Sequence, residues 1–222
     1  MLKLIAFDFD GVLAQGSNQA YFACYHQALV KVGIQLDPAV EKARILERWG
    51  QSIEQQVELL VKDDPSKLDA AMQSFKAAIQ TPAFRAQVAL FPQVDTLLRT
   101  LSQDYKLSIV SGAEMALIED VLGPELTALF SSIHSADSVT AALRKPSPYM
   151  LERAMQIAGA SAHETIYLGD AQNDLRTALA AQVVPVAVLT GYLTRAQAQA
   201  LGTEYILNDL TELPALLLNL NP

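Results

Sequence analysis

"LKLIAFDFDGVL", residues 2–13, sets an apolar run against two aspartates, Asp8 and Asp10, followed at once by Gly11. Beyond Lys3, nothing polar alternates with the apolar residues ahead of Asp8. That predicts a strand buried on both faces, as in a parallel sheet. A carboxylate buried at such a strand end without partners costs several kcal/mol, so the pair belongs to a site that demands it.

Runs of the same kind return at "YKLSIVSG" (105–112), "ETIYLGD" (164–170) and "VPVAVLTG" (184–191), each ending in small or polar residues. Segments 93–103, 114–122, 147–159, 172–182, 194–201 and 210–219 carry helical spacing and supply crossovers between the strands. The alternation predicts an α/β fold, a doubly wound parallel sheet. Between residues 15 and 88 it stops, and helix starts recur instead. These are Asp37 with Pro38, Ser52 with Gln55 as a capping box, Asp64 with Pro65, and Thr81 with Pro82. The expected organisation is a core of residues 1–14 and 89–222 with an all-helical insert, 15–88. The insert is expected over the carboxyl ends of the strands, where ligands bind in open α/β sheets.

Composition narrows the classes of function. The 222 residues are 51% hydrophobic with ten glycines and ten prolines, which suits a globular chain with a sizeable core. A net charge of -8 argues against a broad surface for nucleic acid and leaves room for a local phosphate pocket. No apolar run approaches roughly 18 residues, so no membrane span is expected. Cys24 is the sole cysteine and has no internal disulfide partner; the start of the chain lacks the features of a secretory signal. A cytoplasmic monomer or homodimer is the expectation.

The remaining polar features fall where strands should end. Asp8 and Asp10 close the first strand, Ser111 and Gly112 the second, and Asp170 and Asp174 follow "YLG", while Lys145 opens the helix that begins "KPSPYML". Four clusters distant in sequence thus meet at one sheet edge. Carboxylates with a lysine and a hydroxyl suit a divalent metal and a phosphoryl group, because hard oxygens bind Mg²⁺ and the metal offsets their repulsion.

With "DFDGV" (8–12), "VSG" (110–112), "KPSPYML" (145–151) and "GDAQNDLRTALAA" (169–181) in this order and spacing, the chain resembles the haloacid dehalogenase superfamily of aspartate-nucleophile phosphohydrolases. The motifs span essentially the whole chain, and the helical insert falls where members with a small helical cap carry theirs. The resemblance implies a Rossmann-like core and Mg²⁺-dependent chemistry. In it Asp8 is the nucleophile that forms an aspartyl-phosphate, and Asp10 is the general acid and base. Ser111 and the Gly112 amide bind phosphoryl oxygens, and Lys145 supplies charge to them and to Asp8. Asp170 holds Mg²⁺ with Asp8 and the Asp10 carbonyl; Asp174 coordinates it directly or orients a bound water.

Substrate choice is expected from the insert, with "LERWGQSIEQ" (46–55) at the position of a specificity loop. Arg48, Trp49, Gln51 and Ser52 are the candidates, set against the equal alternative that Trp49 is core and Arg48 solvated. The phosphoglycolate phosphatase-like branch makes a small phosphorylated metabolite the substrate class and 2-phosphoglycolate the first compound to try. A sugar phosphomutase of the β-phosphoglucomutase type is the enzymatic rival, weakened because no histidine lies between Gly16 and Phe22. A phospho-accepting, receiver-like domain is the rival from another class. Such domains typically lack a helical insert after the nucleophile strand.

Overall fold

The computed structural model describes residues 1–49 and 52–220. Its strands are β1 (Leu4–Phe7), β2 (Ala14–Gln15), β3 (Ala89–Leu90), β4 (Lys106–Val110), β5 (Phe130–His134), β6 (Thr165–Gly169), β7 (Val184–Val188) and β8 (Tyr205–Leu207). The helices are α1 (Ser17–Lys31), α2 (Pro38–Glu47), α3 (Ile53–Leu60), α4 (Leu68–Ile79), α5 (Pro82–Arg85), α6 (Val94–Leu101), α7 (Met115–Thr127), α8 (Tyr149–Ala158), α9 (Gln172–Ala180), α10 (Arg195–Ala200) and α11 (Leu213–Leu220). The chain separates into two compact units, Met1–Gln15 with Leu90–Pro222, and Gly16–Ala89.

The first unit is built on a six-stranded sheet in the order β5-β4-β1-β6-β7-β8, every pairing parallel. β1 lies between β4 and β6: Leu4 pairs with Lys106 and Thr165, and Phe7 with Ile109 and Leu168. All four β1 residues are completely buried, and each large apolar side chain so placed contributes about 1.5–3 kcal/mol. From β1 the chain winds outward through β4 and β5, then returns to β6 on the other side. The winding therefore reverses beside β1, which opens a crevice at the carboxyl end of that strand. One core cluster joins Leu4, Ala6, Val110, Met150, Leu151, Ala154 and Tyr167, and another joins Leu175, Ala187, Leu193 and Ala198.

Three local differences from the sequence reading have physical causes. β5 and β8 were not expected: "FSSIH" is only half-buried and carries three polar residues in five, and "YIL" is three residues long. α7 runs on to Thr127 across a kink at Gly123, because Pro124 lacks an N–H and pushes the preceding residue out of helical geometry. Lys145 does not open a helix. It sits in a turn four residues ahead of α8, since Pro146 and Pro148 both interrupt helical geometry.

Among the described residues of the second unit, the regular elements are helices joined by short loops, with Ala89 at its end the one strand residue. Three of its helices, α2, α3 and α5, start on side-chain caps. Asp37 accepts hydrogen bonds from the Ala39 and Val40 amides, Ser52 and Gln55 form a reciprocal capping box, and Thr81 accepts from the Phe84 amide. Each cap is worth about 1 kcal/mol. Tyr25 stacks on Phe75 with ring centroids 4.3 Å apart, and Tyr21 packs on Phe75 and Phe84.

Candidate active site

β1 ends at Phe7, but the Asp8 amide still donates to the Leu168 carbonyl at 2.8 Å, so Asp8 is fixed by the sheet. Its Oδ1 accepts from the Phe9 amide at 2.7 Å. The chain then turns back on itself, the Leu13 and Ala14 amides both reaching the Phe9 carbonyl at 2.9 Å. Gly11 makes the turn with a φ of 73°. A Cβ there would collide with the Asp170 side chain, so the position excludes other residues twice over. Thr190 donates its hydroxyl to the Gly11 carbonyl.

Lys145, from the turn before α8, places its Nζ 3.0 Å from Asp8 Oδ1 and 2.6 Å from Asp174 Oδ1. Asp174 lies in the first turn of α9, where its Oδ2 accepts from the Ala171 amide at 3.0 Å. Asp170 follows β6, and its carbonyl accepts from the Leu193 amide at 3.1 Å. A Cβ on Gly191 would overlap the Asp170 carboxylate, and one on Gly169 would overlap Asp174. Backbone thus presses against both carboxylates where no side chain fits. Ser111, just past β4, is buried, and its Oγ accepts from the Ala113 amide at 3.1 Å, while Gly112 beside it is exposed.

Of the sequence-predicted residues, Asp8, Lys145 and Asp174 are in direct contact. Asp8, Asp170 and Asp174 each bring a carboxylate oxygen within 4.8 Å of the others, and this is the metal-competent group found among the described residues. The Asp10 side chain is not in it. Sequence reasoning missed Tyr167, Thr190 and Gly191. The phenol was the detectable one, because a tyrosine in a strand buried on both faces needs a hydrogen-bond partner.

The electrostatics follow from crowding negative charge out of water. Burial pushes the Asp8 carboxyl up to about 7, with Asp174 and Asp10 adding to the rise and Lys145 opposing it. Burial raises Asp170 well above the carboxylate range, and Asp8 and Asp174 add to it. Burial would lower the Lys145 ammonium, but Asp174 and Asp8 beside it hold it above its ordinary value. One lysine thus faces several acids. Asp170 Oδ2 is buried with no hydrogen-bond partner. That orphaned hard oxygen, in a cluster short of positive charge, fits a divalent cation.

A sequence model of the haloacid dehalogenase-like hydrolases matches residues 5–188 of this chain. The chain belongs to the haloacid dehalogenase-like hydrolases. Over 114 residues it is 37% identical to a phosphoglycolate phosphatase of Mesorhizobium japonicum, a stretch covering 51% of this chain and 46% of that relative. The chain therefore aligns with about half the length of that relative. Over 216 residues it is 27% identical to pyrophosphatase PpaX of Oceanobacillus iheyensis, covering 96% of this chain and 95% of the other. Among solved structures, a haloacid dehalogenase-like hydrolase of Bacteroides fragilis superposes with a TM-score of 0.83 at 26% identity, over 96% of this chain and 100% of that one.

Within the hydrolase, the candidates from the insert have partners inside the helical unit. Arg48 donates to the Gln55 carbonyl at 2.8 Å and lies 3.7 Å from Glu58. Trp49 stacks on Phe22 with centroids 5.3 Å apart, and Ser52 caps α3. Gln51 lies outside the described residues.

Proposed function

We propose that this hydrolase is a Mg²⁺-dependent phosphatase of small phosphorylated metabolites, 2-phosphoglycolate first among them, acting through an aspartyl-phosphate on Asp8. The observation that carries the reading is the Asp8 carboxylate, fixed at the end of the central strand and paired with Lys145 inside a cluster of acids. The phosphatase class is supported by the relatives at 37% and 27% identity, a phosphoglycolate phosphatase and a pyrophosphatase.

Asp8 Oδ1 is occupied by the Phe9 amide and Lys145, which orients the carboxylate and leaves Oδ2 as the attacking oxygen. As the Asp8–phosphorus bond forms, the bond from phosphorus to the ester oxygen breaks, and Asp10 protonates the departing alkoxide. Asp10, now ionised, takes a proton from water. That water attacks phosphorus, the Asp8–phosphorus bond breaks, and inorganic phosphate leaves. Lys145, Ser111 and the Gly112 amide bind the phosphoryl oxygens, where negative charge accumulates. Asp8, Asp170, the Asp10 carbonyl and Asp174 would hold Mg²⁺, which supplies charge neutralisation for the acids and the phosphoryl group.

The test is phosphate release from a panel of small phosphomonoesters, sugar phosphates, nucleotides and inorganic pyrophosphate. Wild type is compared with Asp8→Asn and Asp10→Asn, with Mg²⁺ or with EDTA. Selective turnover is expected, abolished by chelation and reduced at least about 10³-fold in Asp8→Asn. Pyrophosphate is the second reading, favoured by the relative aligned over 96% of the chain; preference for it over every ester would replace the first. A stable phosphoenzyme without turnover would instead indicate a phospho-accepting domain. Repeating the panel with Arg48→Ala and Trp49→Phe tests the expectation that substrate choice rests on the helical insert.

A further inference from the structure

Tyr167 is completely buried in β6, yet its hydroxyl has three polar neighbours. It lies 2.7 Å from the Val110 carbonyl, 3.0 Å from Asp174 Oδ1 and 3.3 Å from Lys145 Nζ. A phenol carries one proton and accepts through its lone pairs, whereas an ammonium carries three protons and accepts nothing. The Lys145 protons match three acceptors, Asp174 at 2.6 Å, Asp8 at 3.0 Å and the Tyr167 oxygen at 3.3 Å. The tyrosine proton serves the Val110 carbonyl or Asp174, one at a time. Every donor in the group is thereby assigned, and each of these side chains answers to a different element: Tyr167 to β6, Asp174 to α9 and Lys145 to the turn before α8. The Val110 carbonyl closes β4, one residue before Ser111.

Lys145 alone of these has no helix or strand to hold it. Its shorter contact is with Asp174, so a lysine without a third anchor is drawn toward Asp174 and away from Asp8. We propose that Tyr167 is a positioning residue that holds the Lys145 ammonium against Asp8 by tethering it to the carboxyl end of β4. The consequence for phosphoryl transfer rests on the function proposed above, whereas the tether itself does not. Removing the hydroxyl in Tyr167→Phe keeps the ring in the core and deletes only the anchor.

The test pairs kinetics with a readout independent of turnover. Tyr167→Phe is expected to lower kcat about 10–100-fold with KM within about twofold of wild type. Ser108→Ala, which removes another fully buried hydroxyl from β4 bonded to Ser131 and Ser132, is expected to leave kcat unchanged. In protein labelled with ¹⁵N-lysine, the protected Lys145 ammonium should give a resonance that is absent from Lys145→Met and shifted or broadened away in Tyr167→Phe. In the wild type itself, a slowly exchanging phenolic proton should show a cross-peak to that ammonium, an observation that needs no variant to fold.

An unchanged ammonium resonance in Tyr167→Phe, or a kcat loss matched by Ser108→Ala, would overturn the proposal. So would a missing cross-peak. Should wild type turn over no compound on the panel, the phosphatase reading fails, and the ammonium resonance still decides the tether.

Discussion

Gly191 illustrates how a single missing side chain positions a charged one. A Cβ at this position would occupy the space of the Asp170 carboxylate, whose Oδ2 is the buried oxygen without a hydrogen-bond partner. Gly191→Ala must therefore displace Asp170, and the Leu193 amide that binds the Asp170 carbonyl resists a compensating shift of backbone. The expected result is a loss of Mg²⁺ affinity of about 10–100-fold with the fold intact. Calorimetric Mg²⁺ titration of the two proteins, alongside their circular dichroism, measures it; equal affinity would refute the role given to Asp170. Gly11 is more constrained still, because its backbone is left-handed as well as crowded.

Elements are held at their ends by local polar devices, and these set how stability responds to acid. The turn Ala162–Glu164 leads into β6, and Glu164 accepts from the Ser161 amide and hydroxyl while pairing with Lys3 at 2.7 Å. The bond from Lys3 and those from Ser161 pull the Glu164 carboxyl from its ordinary 4.5 down to about 2. A depressed carboxylate favours the folded state above its unfolded value, and that advantage disappears as pH falls through the folded value. The difference in Tm between wild type and Glu164→Gln should thus be full above pH about 5 and close to zero near pH 2. Melting curves across that range measure it. A difference that does not change with pH would mean that packing, not charge, holds this corner.

The whole molecule carries a net charge of -8, while its proposed substrates are anions. Long-range repulsion then opposes encounter even though the site itself supplies Lys145. Salt screens charges beyond about 10 Å at 0.1 M and leaves short buried contacts nearly untouched. KM for a phosphomonoester is accordingly expected to fall severalfold between about 0.01 and 0.15 M of an inert salt at saturating Mg²⁺, with kcat steady. A rising KM would place the dominant field at the mouth of the site and not over the whole surface.

Much of this architecture was legible in the chain because it rests on local pattern. "LKLIAFDF", "YKLSIVSG", "ETIYLGD" and "VPVAVLTG" announce buried parallel strands by their apolar continuity, and Ser52 with Gln55 announces a helix start by capping chemistry. Half-buried β5 and three-residue β8 were illegible, since their strand character comes from the neighbours they pair with. The motifs named the chemical groups of the site, but distances belong to the tertiary structure. Sheet order alone brings Asp8 and Asp170 from adjacent strand ends to one place, 162 positions apart in sequence. That Lys145 spends its protons on Asp8, Asp174 and Tyr167, and that Gly191 yields its space to Asp170, was decided by packing. Residue identity sets which bonds a side chain can make; only the fold sets which partner is within 3 Å of it.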